Sequence, residues 1–208
     1  MISRCLVCAA VLATAPVLTA FAQTNAASVA AALQGWRDAC SDPNPDLAIG
    51  YLGDAMATGN IDVRKACLRQ VLASDNVDVQ SAALRVIITH IPVIRFRVGE
   101  LIEGRAGGRG DEIVTALQHG LVFYGSNGNL ANGTAQWMPL LRNTVPVDQS
   151  SGIVTVFGSS IHWAGQCYYS KDELFDCQLS ADMAEGGIVN GLFRVWDLKF
   201  PVSANLFD

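Results

Sequence analysis

The stretch from Ile161 to Met183 limits what this chain can fold into more than any other part of it. With Cys167 set opposite Cys177 in an antiparallel ladder, two unlike faces emerge. One carries Tyr169 opposite Phe175, Gly165 opposite Leu179, Trp163 opposite Ala181 and Ile161 opposite Met183, and is wholly apolar. The other carries Tyr168 opposite Asp176, Gln166 opposite Gln178, Ala164 opposite Ser180 and His162 opposite Asp182, and is nearly all polar. Side chains alternate along a strand with a period of two, so a slip of one residue would turn every one of them over. Two clean faces in one register predict a β-hairpin locked by a Cys167–Cys177 disulfide.

A disulfide needs an oxidising compartment, and the start of the chain supplies a route to one. Arg4 precedes an apolar run from Cys5 to Leu18, and Ala20-Phe21-Ala22 follows as a cleavage site. Residues 1–22 therefore read as a secretory signal peptide, with a mature chain from Gln23 destined for the periplasm or the outside. The apolar run is shorter than a spanning helix needs, and no transmembrane segment is expected after the signal is removed. The mature chain keeps Cys40, Cys67, Cys167 and Cys177; once the hairpin takes the last two, Cys40 pairs with Cys67 by elimination. No C-x-x-C spacing with a nearby histidine is present, so neither a metal nor a cofactor is expected.

Residues 23–92 read as a helical domain with three sixteen-residue repeats. Asn44, Asn60 and Asn76 recur at that spacing, as do Asp46, Asp62 and Asp78, and then Leu52, Leu68 and Leu84. An asparagine side chain accepts from the free amides of a first helical turn, and an aspartate two places on meets the positive end of the helix dipole. Each unit thus starts a helix, and Pro45 suits the first helical position. A further helix is expected over Ala26 to Cys40. The segments Asp62-Val63-Arg64 and Asp78-Val79-Gln80, each followed by alanine and leucine, resemble the inner helices of HEAT-like repeats. That resemblance covers residues 44–91 and implies a protein-binding surface with nothing catalytic. The unit here is one helix, whereas a HEAT repeat pairs two in about 40 residues.

After Pro92 the period changes to that of strands, with Ile94, Phe96 and Val98 alternating with Arg95 and Arg97. Strands are expected at Leu121–Tyr124, Ala135–Leu140, Ile153–Phe157 and Ile188–Phe200, with a turn over Ser126 to Asn132. The apolar phase shifts from Phe193 and Val195 to Trp196, Leu198 and Phe200, which reads as a β-bulge. Arg109-Gly110-Asp111 reads as a loop whose aspartate caps a short helix ending near His119 and stopped by Gly120. The fold class is therefore α+β: an N-terminal helical-repeat-like stack, then an antiparallel β sandwich or barrel over 93–208.

The net charge of −5 and the scattered arginines exclude a nucleic-acid partner, since no basic stripe is available to meet phosphates. No nucleophile elbow and no phosphate-binding loop is present. His162 facing Asp182 is the sharpest chemical constellation, as a carboxylate beside an imidazole suits a general base. Tyr168, Gln166, Gln178 and Asp176 form a candidate ligand face, with Trp137 as a second stacking ring. The leading expectation is a non-catalytic envelope protein that binds another envelope protein. The alternatives are a carbohydrate or small-ligand binding β module, and a hydrolase using His162 and Asp182.

Overall fold

The structure is a computed structural model that describes residues 18–105, 107–140, 151–170 and 173–207; side chains at 18–25, 109, 168–170 and 173–174 lie outside that description. Four helices come first: α1 (Leu18–Cys40), α2 (Pro45–Ala57), α3 (Ile61–Leu72) and α4 (Val77–His90). The first of these begins inside the segment read as a signal peptide. Among the described residues no helix is long and apolar enough to cross a membrane.

The three asparagines cap their helices as expected. Asn44 accepts from the Asp46 amide at 3.0 Å, while Asn60 and Asn76 each accept from two amides of the first turn. The structure adds a second element of the repeat. The backbone amides of Asn44, Asn60 and Asn76 donate to side-chain oxygens of Asp42, Thr58 and Ser74, again sixteen residues apart. Each cap is therefore held from both sides. The Cys40–Cys67 disulfide, with Cα atoms 5.1 Å apart, ties the end of α1 to the middle of α3.

Eight strands then form a closed, consecutively wound antiparallel barrel: β1 (Val93–Val98), β2 (Leu121–Asn129), β3 (Thr134–Leu140), β4 (Gly152–Phe157), β5 (Ser160–Ser170), β6 (Glu173–Ala184), β7 (Ile188–Val195) and β8 (Leu198–Asn205). The sheet alternative of two packed layers is not adopted. Closure comes from β1 and β8, which pair at Arg97 with Ser203 and at Val98 with Val202. A short helix, α5 (Arg109–Leu117), lies in the β1–β2 connection. Gly108 precedes it and no side chain caps it, so Asp111 sits inside its first turn instead of capping it.

Alternation along the strands fills the interior with apolar side chains. Phe123 stands at its centre, with ring centroids 5.0 Å from Trp163, 5.3 Å from Trp137, 5.9 Å from Phe96 and 6.4 Å from Phe193. All five rings are buried, and such contacts add to the area that they remove from water. Helices stop both ends. At one end α4 packs on β2, β3 and β4 while α3 meets the turn Glu185–Gly187. Gly128 of β2 runs so close to the Thr89 carbonyl of α4 that a Cβ there has no room. At the other end α5 buries Ile113, Ala116 and Leu117. The barrel interior is a packed core and not a container, and a concavity of about 410 Å³ lies at its end between α5 and the close of β1.

Three sequence expectations are corrected here. The β5–β6 register differs by two residues: Trp163 faces Leu179, Ile161 faces Ala181, Gly165 faces Cys177 and Cys167 faces Phe175. The Cys167–Cys177 bond forms, but across a diagonal, with Cα atoms 5.8 Å apart. A slip of two leaves each side chain on its own face, so face chemistry alone does not separate the two registers. Secondly, the phase shift near Trp196 is no bulge. It is a hairpin turn, Trp196-Asp197, between Val195 and its partner Leu198, with Trp196 at φ +58°. A two-residue turn reverses the chain, and the reversal shifts the apolar phase as a bulge would. Thirdly, β2 continues to Asn129, so only the end of the expected Ser126–Asn132 turn is a turn.

Candidate functional site

The outward side chains of β4 to β7 form rows across the sheet, set by the register. Gln166 pairs with Asp176; Ile153, Ala164, Gln178 and Arg194 follow in the next row; then Thr155, His162, Ser180 and Leu192; then Phe157, Ser160, Asp182 and Asn190.

Three of the four expected ligand residues meet in one place. Gln166, Asp176 and Gln178 line an outer concavity of about 550 Å³ together with Phe175, Arg194 and Trp196. All but the half-buried Phe175 are exposed. The side chain of the fourth, Tyr168, lies outside the described residues. Trp196 owes its position to the tight turn: its amide donates to the Asp176 carbonyl at 3.3 Å, and its own carbonyl accepts from Arg194 Nε at 3.2 Å. The indole is 49% exposed, and Phe175 lies beside it with centroids 6.3 Å apart. An aromatic face beside two amides, a carboxylate and a guanidinium can stack on a ring while hydrogen-bonding to its hydroxyls. Trp196 escaped the sequence reading because a bulge puts it on the apolar face with Leu198 and Phe200, away from Arg194. The tight turn brings it back beside Arg194.

The pair His162 and Asp182 is not assembled as expected. In the observed register His162 faces Ser180, with Nδ1 3.2 Å from the hydroxyl, and Asp182 accepts a very short hydrogen bond from Ser160. The carboxylate is one row away on the diagonal, so the imidazole–carboxylate contact on which the hydrolase alternative was built is missing. Trp137 is corrected too: it is fully buried in the barrel, where no sugar could stack on it. Trp163, assigned to the dry face, is core as expected.

Next to the first concavity is a second of about 280 Å³, walled by Ile153, Phe157, His162 and Ser180 and sharing Gln178 with the first. Phe157 is 64% exposed and Ile153 56%. Phe157 stands 6.1 Å from the His162 ring. A sequence signal for this surface exists and was missed: none of β2, β3, β4 and β5 contains a lysine, arginine, aspartate or glutamate. Four consecutive strands without charge, in a chain that is 16% charged, leave an outer face of hydroxyls, amides and apolar groups. Comparison with protein-family models, with curated proteins and with solved structures gives no match to this chain.

Proposed function

We propose that this protein is an exported, non-catalytic binding module that holds a carbohydrate against the outer wall of its barrel. The observation that carries the reading is the concavity in which Gln166, Asp176, Gln178 and Arg194 surround the exposed indole of Trp196. Small-ligand sites combine an apolar wall with a few directed polar groups, and a sugar ring offers an apolar face edged by hydroxyls. The filled interior supports an outside site over an enclosed one. Two disulfides fit a protein that works after export.

Titration with cello-oligosaccharides and N-acetylchito-oligosaccharides, followed by tryptophan emission and calorimetry, tests the reading. Saturable binding that Trp196→Asn abolishes is the expected result. Failure of every such sugar to bind would end it.

A second reading, binding of another envelope protein through the helices, rests on different residues. Leu47 and Tyr51 share one face of α2 and are exposed, as are Ile61 and Val77 at the first positions of α3 and α4. HEAT-like repeats would present such a surface. Affinity capture from an envelope extract should then recover a partner with the native chain and lose it with Leu47→Asp/Tyr51→Asp. Equal recovery by both proteins would remove this reading.

A further inference from the structure

We propose that the two concavities form one continuous track for a linear, uncharged glycan chain, laid along β5 and β6 with Trp196 at one end and Phe157 at the other. This deepens the carbohydrate reading and rests on it. Gln178 lines both concavities, so the two adjoin at its side chain. From Asp176 to Asp182 the outward residues of β6 advance six positions, roughly 20 Å at the rise of an antiparallel strand. That is far longer than one sugar ring and suits several laid end to end.

The two ends carry the apolar platforms and the middle carries the hydrogen-bonding groups. Trp196 and Phe157 are among the most exposed large apolar side chains of the barrel, at 49% and 64%. Between them stand the Gln178 amide, the Ser180 hydroxyl and the His162 imidazole, all exposed. This is an order of groups that a polymer of hydroxylated rings can match, with stacking at the ends and polar contacts between. Charge selects among such polymers. Asp176 and Asp182 border the track, Arg194 stands beside it, strands β4 and β5 themselves contain no charged residue, and the whole chain is acidic. A polyanionic glycan would be repelled on balance, while an uncharged one meets no penalty.

Length dependence tests the track separately from the site. The full chain is titrated with the cello-oligosaccharide and N-acetylchito-oligosaccharide series from disaccharide to hexasaccharide. Affinity is expected to rise about tenfold or more along a series, the worth of one added stacked ring. Phe157→Ala should bring the hexasaccharide down to the affinity of the disaccharide and leave the disaccharide unchanged; because Phe157 is exposed, this variant folds. Trp196→Asn should remove binding at every length. Binding that is independent of length, or a length gain that survives Phe157→Ala, overturns the track and leaves the carbohydrate site standing. Absence of binding by every oligosaccharide overturns both. Tighter binding of a polyuronate of equal length overturns the uncharged specificity.

Discussion

Trp163 donates its indole N–H to the main-chain carbonyl of Trp137 at 3.1 Å, reaching from β5 to β3 across the strand between them. The reach is possible because that row crosses β4 and β5 at two glycines, Gly152 and Gly165, which lie opposite each other. A Cβ at Gly165 would stand 2.7 Å from the Trp163 ring. The two largest buried side chains of the barrel are thus fitted to each other by the absence of side chains between them.

Trp163→Phe is expected to destabilise the fold by about 1–3 kcal/mol, from the lost hydrogen bond and the smaller ring. Gly165→Ala should cost a similar amount through overpacking. Urea denaturation of both variants checks this, and midpoints equal to that of the native protein would refute the packing described.

The helix caps make a graded prediction. Asn60→Ala and Asn76→Ala should each cost about 1 kcal/mol, whereas Asn76→Gly should cost only a few tenths. Ser74→Ala removes the acceptor of the Asn76 amide and should weaken the same helix start. Thermal melts of the four variants separate capping from packing, since the three asparagines are exposed.

Both cross-links are open to mapping. A non-reduced digest should yield Cys40 joined to Cys67 and Cys167 joined to Cys177. On the chain-entropy account, removal of the first by a double alanine change costs about 3.5 kcal/mol and of the second about 2.7 kcal/mol, the longer loop mattering more. Any peptide that joins a helical cysteine to a barrel cysteine would contradict the fold.

The Trp196-Asp197 turn has its own signature. At φ +58° a β-branched residue is strained and glycine is not. Trp196→Gly should stay close to native stability, while Trp196→Val should lose about 1–2 kcal/mol. Equal stability of the two variants would favour the continuous bulged strand over the turn.

Much of this architecture was legible because the signals were local. Asparagine at sixteen-residue intervals marks helix starts by its own hydrogen bonding, and alternation from Ile161 to Cys167 fixes which groups are wet. What escaped depended on partners distant in the chain. The hairpin register was ambiguous by two because both choices keep the faces, and that ambiguity misplaced Asp182 beside His162. Trp137 reads as a candidate stacking ring until β2 and β5 close around it. The concavity was legible in Gln166, Asp176 and Gln178, which adjoin one another in either register. Arg194 joins it through the β6–β7 register, and Trp196 through the two-residue turn that follows.

Closure of the barrel has a consequence for how the chain survives before it is folded. The strands from β2 to β5 carry no charged gatekeeper, and open strand edges of that kind recruit copies of themselves into aggregates. The seam of Arg97 and Val98 with Ser203 and Val202 seals the cylinder, and Gly99, Ile102 and Glu103 continue it against Pro201 and Lys199. Unzipping at that seam would offer the neighbouring molecule an edge, so variants that loosen β1 or β8 should precipitate well before they melt.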